Sequence, residues 1–367
     1  QKSSLLTCRQ CFLMEKSVLQ VSGRNTLENA YKITSKSKLS THTVQIPYHM
    51  YPALSNTLGL VFHVWSLVES VVVLVLLRIY ITQFVSENSR IELLVDSLFL
   101  AEGPLWLDKL NSLLFTQAAA NKIYTWNNDS GFALFMEPSG YTGIVPAEPD
   151  GILGSNGMVL DSNGDLILAQ HGDRRVVRLK NWENNSPVFE TLAGSYNDKL
   201  FNSPNDLVYA DNGDLYFTDP PYGFGLDKLL TSELKEQPVN GVYKLSESGE
   251  IDLLVDDLSL PNGIAISNDN KTLYVNSSDL EYPFITKFDI TENGLENRAI
   301  FFDGSELLKT SEGWFDGLKV HSSGNIFSTG PGGVLIITPE GKHLATIGTT
   351  SNALNCAFDK DESYLLE

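Results

Sequence analysis

From residue 91 onward the chain repeats one short pattern six times. Each copy starts with a polar residue, continues as an apolar strand-like run, turns through Asp, Asn or Gly, and ends in a second apolar run. The clearest copy, at residues 201–224, has an Asp-Asn-Gly turn between its two runs, which predicts a β-hairpin. The six copies begin at Glu102, Asn156, Asn205, Asn262, Asp316 and Asn355.

The spacing of the copies predicts the architecture. They start 54, 49, 57, 54 and 39 residues apart. About fifty residues hold four strands of ~6 residues plus turns, which is one blade of a β-propeller. Further strand-like runs follow most of the hairpins, and no long helical periodicity separates them. The sequence therefore predicts an all-β, six-bladed β-propeller over residues 91–367.

The two ends of this region predict how the ring closes. Residues 91–95 resemble the fourth strands of the other copies, so we expect them to supply the outer strand of the last blade. The last copy reaches Glu367 in what should be its second strand. We therefore expect the last blade to be incomplete.

The region before the repeats has a different composition. Residues 1–57 are rich in Ser, Thr and Lys, contain two acidic residues and show no sustained periodicity, so we expect them to be mostly disordered. Residues 58–81 are apolar and exceed the ~20 residues that a membrane span needs, although Glu69 lies near their middle. If they insert, the propeller is expected on the lumenal or extracellular side; otherwise it is expected to be soluble and cytoplasmic. The alternative is that this leader is absent from the mature protein.

The charge distribution limits the classes of partner. The chain has a formal charge of −19, but residues 1–84 carry +5, so the remainder carries −24. Phosphate contacts need a basic face, which makes this acidic region a poor binder of nucleic acid. It is better suited to cations and to neutral or weakly charged substrates. The oligomeric state stays open.

Cysteines predict neither a disulfide framework nor a zinc site. Cys8 and Cys11 have the spacing of a metal-binding pair, but no second pair completes four ligands. Cys356 lies in a strand-like run and is expected to be a buried thiol.

The residue that starts each copy is a candidate for metal binding. The first strand of every propeller blade lines the central channel, so these six residues should converge at one end of it. Two carboxylates and four amides are hard oxygen donors, which favours Ca²⁺, with Mg²⁺, Mn²⁺ or Zn²⁺ as alternatives. The other interpretation is that Asn-Gly and Asp-Gly are turn formers that only start strands. Glu102 is no turn residue, and burying Glu102 and Asp316 without a cation would be costly.

The second strand of each hairpin returns to the same face and should bring its last residues to the channel mouth. Two of these are suggestive of chemistry: His171 and Asp219. A lone histidine is more often structural, and Asp219 has the alternative role of fixing the turn at Pro220-Pro221. The full set is Gln117, His171, Asp219, Ser277 and Thr329.

Five motifs occur along this region: Glu102-Gly103-Pro104, Ser203-Pro204-Asn205-Asp206, FTDPPYG at residues 217–223, Pro261-Asn262-Gly263 and Asp316-Gly317. Together they resemble those of the gluconolactonase, regucalcin and luciferin-regenerating enzyme family. The resemblance spans residue 91 to the end and implies a six-bladed propeller with a catalytic divalent cation, usually calcium, that hydrolyses sugar lactones. It also implies that Glu102, Asn205, Asn262 and Asp316 are the metal ligands.

One position departs from the regucalcin pattern. Ser203 stands where animal regucalcins have an arginine that contacts substrate, so the chain resembles the bacterial and plant gluconolactonase branch. The substrate preference of regucalcin therefore does not carry over.

The expected reaction is metal-assisted hydrolysis of a cyclic ester, with a carboxylate accepting a proton from the attacking water. Asp316 is the favoured base and Asp219 is the second candidate. Asn156, His171, Asp219 and Tyr222 are expected to line the substrate pocket. Two other functions stay open, a calcium-dependent esterase or phosphotriesterase and a non-enzymatic, calcium-stabilised binding propeller.

Overall fold

A computed structural model of the chain describes residues 89–95, 98–183, 186–349 and 351–367. The predicted disordered leader, the predicted membrane span at residues 58–81 and the pair Cys8 and Cys11 all lie outside these ranges. In the part of the chain that is described, no helix has the length and apolar character that crossing a bilayer requires. Glu92–Glu367 form one compact unit, and the account below concerns that unit.

Strands dominate the described residues, as predicted. Five antiparallel sheets each contain four strands that follow one another in the chain. They are β1 (Ala101–Leu107), β2 (Ser112–Gln117), β3 (Lys122–Asn127) and β4 (Gly131–Met136); β5 (Ser155–Leu160), β6 (Leu166–Gln170), β7 (Arg175–Glu183) and β8 (Ser186–Ala193); β11 (Leu207–Tyr209), β12 (Leu215–Asp219), β13 (Gly241–Leu245) and β14 (Ile251–Val255); β15 (Pro261–Ile266), β16 (Thr272–Ser277), β17 (Phe284–Thr291) and β18 (Gly294–Asp303); and β19 (Leu318–Val320), β20 (Ile326–Gly330), β21 (Gly333–Ile337) and β22 (His343–Gly348).

The remaining elements are short. β9 (Ser195–Tyr196) pairs with β10 (Lys199–Leu200) in the connection between the second and third sheets. One single-turn α-helix, α1 (Ser305–Leu308), follows β18. The 3₁₀ turns are Asp108–Leu110, Ala118–Ala120, Tyr222–Phe224 and Leu226–Lys228.

The prediction of six blades, the last of them incomplete, differs from the structure, because the described residues form five four-stranded blades. The sixth copy forms only a hairpin of two short strands, β23 (Ala357–Phe358) and β24 (Leu365–Leu366). A single residue, Glu367, follows β24, so the described chain contains no third strand for this unit. An outer strand needs that third strand to pair with. Residues 91–95 accordingly form no strand, and Leu93 is 80% exposed.

The core lies between neighbouring sheets and shows their order around the ring. Separate apolar clusters join the first sheet to the second, the second to the third, the third to the fourth and the fourth to the fifth. A further cluster joins Leu113 and Phe115 of the first sheet to Leu366 of the last hairpin. Between the second and third sheets, the rings of Phe201, Phe217 and Tyr243 pack with centroids 5.0 to 5.4 Å apart. Strands buried on both faces explain the near-continuous apolar runs of the sequence.

Neighbouring repeat copies approach closely at two of the glycines that follow a starting residue. Gly157 and Gly263 donate backbone N–H hydrogen bonds of 2.7 and 2.9 Å to the carbonyls of Asn205 and Asp316, the starting residues of the next copies. A Cβ atom on Gly263 would lie 2.3 Å from the Asp316 carbonyl oxygen. The Asn-Gly pairs therefore lie at the start of strands β5 and β15 rather than in turns, and their glycines permit this contact.

Candidate functional site

All six starting residues lie where the inner strands begin, and all are buried. None exposes more than 5% of its surface. Three of the inner strands carry a β-bulge at this point, between Glu102 and Leu105 in β1, between Ser155 and Met158 in β5, and between Pro261 and Ile264 in β15. A bulge changes the direction of a side chain relative to the regular pleat. The irregular start of these strands thus allows polar side chains to converge.

One continuous series of hydrogen bonds connects three predicted site residues, His171, Asn205 and Asn262. His171 Nε2 lies 3.1 Å from Asn205 Oδ1, and Asn205 Nδ2 donates to Asn262 Oδ1 at 2.6 Å. Asn262 Nδ2 then donates to Ser278 Oγ at 2.9 Å, and Ser278 donates to the carbonyl of Phe315 at 2.7 Å. The last contact is with Phe315, the residue before Asp316. This series of hydrogen bonds therefore fixes the orientation of the Asn205 and Asn262 side-chain amides.

Two carboxyl groups lie buried near each other at this end of the channel. Burial raises the pKa of Glu102 to about 7, and the negative charge of Asp206 adds to the effect. Burial also raises the pKa of Asp316 well above its usual range, and the charge of Glu102 contributes. Buried carboxylates with negatively charged neighbours are costly to ionise unless a positive charge joins them.

The donor atoms fit a hard cation. Asp316 Oδ2 accepts a hydrogen bond of 3.1 Å from Trp314 Nε1, whereas Asp316 Oδ1 and Asn156 Oδ1 are buried without a hydrogen-bond partner among the described residues. Buried oxygens without donors, together with carboxylate and amide oxygens, match the chemistry that Ca²⁺ prefers. Within the described ranges no cluster of three His, Cys, Asp or Glu residues has metal-binding geometry, and half of the expected ligands are asparagines.

His171 follows β6 and is 2% exposed. Burial lowers the pKa of this imidazole to about 4, so it is neutral at physiological pH. Because Asn205 donates through Nδ2, its Oδ1 is the acceptor, and His171 Nε2 carries the proton between them. A small cavity lies against His171, lined also by Leu153, Arg174 and Phe224.

Tyr222 lies in a 3₁₀ turn near the same cluster. Its hydroxyl donates to the Leu260 carbonyl at 3.3 Å. Burial raises the pKa of Tyr222, which also interacts with Ser278 and with the charge of Asp316. The structure thus brings Asn156, His171 and Tyr222 to the same end of the channel as Glu102 and Asp316.

Asp219 lies at the end of β12. It was predicted as a pocket residue and second candidate base, or as the residue that fixes the turn at Pro220-Pro221. It is fully buried, and its two carboxylate oxygens accept backbone N–H hydrogen bonds of 2.8 Å from Asn202 and from Ser203. Burial raises the pKa of Asp219 to about 7 despite these bonds. Since both oxygens bind backbone groups, the contacts favour a role in holding the segment that leads to Asn205.

Ser203 also has a structural role, because it binds the turn at residues 220–223. Its hydroxyl donates to the Pro220 carbonyl at 2.6 Å and accepts from Gly223 N at 2.8 Å. A Cβ atom on Gly223 would lie 2.6 Å from the Cβ of Ser203. Ser203 therefore links the turn at residues 220–223 to this segment, and the close packing of Gly223 against Ser203 requires a glycine there.

Four residues at or below the site had been given no role from sequence: Ser278, Trp314, Asp206 and Lys319. Ser278 lies one residue beyond the strand end, where Ser277 had been expected to act. Lys319 lies within the apolar inner strand β19, and a lysine at such a position is the signal that could have identified it. The other second-strand residue, Thr329, donates to the Gly317 and Leu354 carbonyls and links inner strands.

A wide groove elsewhere contains none of the predicted site residues. It has a volume of about 580 Å³ and is lined by Leu230, Ser232, residues 235–240 and residues 256–259. The polar cluster, and not this groove, is therefore the candidate site.

Comparison with known proteins decides the family. The family described as "SMP-30/Gluconolactonase/LRE-like region" matches residues 100–366. The chain belongs to this family. It is 37% identical over 281 residues to a gluconolactonase from Zymomonas mobilis, covering 74% of this chain and 76% of that protein. It is 26% identical over 272 residues to regucalcin from Sus scrofa, covering 72% and 81%.

Solved structures agree with this assignment. A gluconolactonase from Xanthomonas campestris superposes with a TM-score of 0.67 and 26% identity, covering 78% of this chain and 88% of that one. The predicted relationship to the gluconolactonase, regucalcin and luciferin-regenerating enzyme family is thus confirmed.

Proposed function

We propose that this chain is a metal-dependent hydrolase that opens sugar lactones, as a gluconolactonase does. The observation that carries the proposal is the buried pair of Glu102 and Asp316 beside two oriented amides, Asn205 and Asn262, at one end of the channel. The identity of 37% to a gluconolactonase over three quarters of both chains supports the reaction class.

Glu102, Asn205, Asn262 and Asp316 would hold the cation, and Ca²⁺ is the ion that their oxygens favour. When bound, such an ion polarises a carbonyl and offsets negative charge that develops on its oxygen. The protein holds these donors in place beforehand. Asn205 and Asn262 are fixed by hydrogen bonds to each other, to His171 and to Ser278.

Asp316 is the proposed general base. Trp314 holds its Oδ2, which leaves the buried Oδ1 as the atom that accepts a proton from the attacking water. The raised pKa of Asp316 indicates a carboxylate with increased proton affinity. The water oxygen adds to the lactone carbonyl carbon, the ring C–O bond then breaks, and the proton passes to the ring oxygen that leaves. The product is the open hydroxy acid.

Asn156, His171 and Tyr222 are the proposed substrate contacts. The unpartnered Asn156 Oδ1 can accept a hydrogen bond from a sugar hydroxyl. His171 is neutral because burial lowers its pKa to about 4, so it adds no charge that would compete with the cation. Asp219 has its oxygens bound to backbone groups and is not part of the proposed pocket.

The test is hydrolysis of glucono-1,5-lactone by the purified full chain, measured above the uncatalysed rate, in wild type and Asp316→Asn. The isosteric amide cannot accept the proton, and we expect a loss of about 100-fold or more, the range for a general base. Asp211→Asn, in the exposed turn between β11 and β12, is the matched control and should retain activity. Retained turnover in Asp316→Asn would reject Asp316 as the base. Faster turnover of an open-chain ester or a phosphotriester than of any lactone would reject the substrate class.

A further inference from the structure

Lys319 is a charged residue in the channel that the proposed reaction does not use. It lies in the inner strand β19, three positions after Asp316, and its side chain is 29% exposed. Its ammonium Nζ donates to the Leu318 carbonyl at 3.1 Å and to Asn355 Oδ1 at 3.5 Å, and lies 3.7 Å from Asp206 Oδ2. All three partner atoms are oxygens, which are also the atoms that coordinate a bound metal cation such as Ca²⁺.

Both side-chain partners of Lys319 connect to the candidate site. Asn355 accepts from Lys319 through Oδ1, which directs its Nδ2 to Glu102 Oε2 at 3.4 Å. Asp206 is 2% exposed, and its negative charge acts on both Glu102 and Asp316. The positive charge of Lys319 acts on Glu102 in the opposite direction. A single residue, either Asn355 or Asp206, therefore lies between Lys319 and the proposed metal ligands.

We define the channel cluster as Glu102, Asp206, Asp316 and Lys319. Its three carboxylates and one ammonium carry a formal charge of −2 when all are ionised. One divalent cation neutralises that charge. Without Lys319 the same cluster would carry −3, and Asp206 would lose its positively charged neighbour in a buried position, which is costly.

We propose that Lys319 is a built-in cation that sets the affinity of the channel cluster for one divalent ion. It offsets Asp206, orients Asn355 toward Glu102, and keeps the cluster at a charge that a single ion satisfies. This inference rests on the proposed function, because it requires that the cluster binds a metal. Lys319 is a positioning residue, since it contacts neither the proposed metal nor the substrate.

The experiment is calorimetric titration of Ca²⁺ into the metal-free full chain, in wild type and three variants. Lys319→Met keeps most of the side-chain volume and changes the cluster to −3, so Ca²⁺ should bind about tenfold more tightly or more. Asp206→Asn changes it to −1 and should weaken binding by a similar factor. The double variant Lys319→Met with Asp206→Asn returns the charge to −2 and should bind within about threefold of wild type.

The series separates the possible failures. If the wild type binds none of Ca²⁺, Mg²⁺ or Mn²⁺, the proposed metal site itself is wrong. The expected order of Ca²⁺ affinity, from tightest to weakest, is Lys319→Met, wild type, Asp206→Asn. If the wild type binds but the affinities do not follow this order, then Lys319 is only a structural partner of Asp206 and the inference is overturned. The double variant leaves neither Lys319 nor Asp206 as an unpaired buried charge, so it stays informative if Lys319→Met does not fold. A Ca²⁺ affinity far from that of wild type would contradict the proposal that the charge of the channel cluster sets the affinity.

Discussion

Removing the metal should make the stability of this protein depend on pH in an unusual direction. Burial and the charge of Asp206 raise the pKa of Glu102 from the ordinary value of 4.5 to about 7 in the metal-free fold. Below pH 4.5 the group is protonated in both the folded and the unfolded chain, so its contribution to stability is fully present. As the pH rises through 7, the folded protein must release a proton that the unfolded chain has already lost. The contribution of Glu102 to stability is then lost.

The magnitude follows from the size of the shift. A change of one pKa unit corresponds to about 1.4 kcal/mol, so a shift from 4.5 to about 7 gives a full loss of about 3.5 kcal/mol in the free energy of unfolding, of which about 3 kcal/mol falls between pH 4.5 and 8. Asp316 adds a loss in the same direction, because its pKa is also raised by burial. A divalent cation should reverse both losses, since it favours the ionised carboxylates.

The assay is urea unfolding of the full chain from pH 4.5 to 8, in chelator and in excess Ca²⁺, with Glu102→Gln as the matched variant. In chelator, the stability of the wild type relative to Glu102→Gln should fall by about 3 kcal/mol over this range. With Ca²⁺, the wild type should regain stability above pH 7 and the variant should gain much less. A difference between wild type and variant that stays constant or grows with pH in chelator would refute the reasoning.

Three further predictions follow from individual contacts. Asp219→Ala leaves the backbone N–H groups of Asn202 and Ser203 without acceptors. It should therefore lower the free energy of unfolding by about 2 to 4 kcal/mol in urea titrations. An unchanged unfolding midpoint would contradict the structural role of Asp219. Gly317→Ala places a Cβ atom 2.1 Å from Asn355 Oδ1 and should lower the melting temperature, whereas Gly194→Ala, whose nearest contact is 3.4 Å away, should change it little. His171→Ala should raise KM for a lactone more than it lowers kcat, and a purely kcat effect would argue against a substrate contact.

The repeat pattern was sufficient to predict the strands, because alternating apolar runs joined by Asp-Asn-Gly turns specify hairpins locally. The assignment of residues 91–95 to an outer strand was wrong, because an outer strand needs a third strand to pair with and none follows β24 in the described residues. The apolar character of residues 91–95 resembles that of a fourth strand, yet Leu93 is largely exposed.

The convergence of the polar residues was also predictable, since each starts an inner strand and inner strands surround one axis. The hydrogen-bond partners of these polar residues could not be predicted from the sequence. Asp219 ends β12 as expected, but its oxygens bind the backbone of a segment seventeen residues earlier, and only the folded chain shows that direction. Lys319 had no predicted role because the partner that connects it to the site, Asn355, belongs to another hairpin and is adjacent only in the folded chain.

The most direct test of the central claim is the rate of acid release from glucono-1,5-lactone by the full chain in a pH-stat, above the uncatalysed rate, with the metal removed and then restored. The proposed function predicts that chelator stops the enzymatic release and that adding back Ca²⁺ restores it. An enzymatic rate that is the same in chelator and in Ca²⁺ would contradict the metal-dependent mechanism, and no rate above background with any divalent ion would contradict lactone hydrolysis.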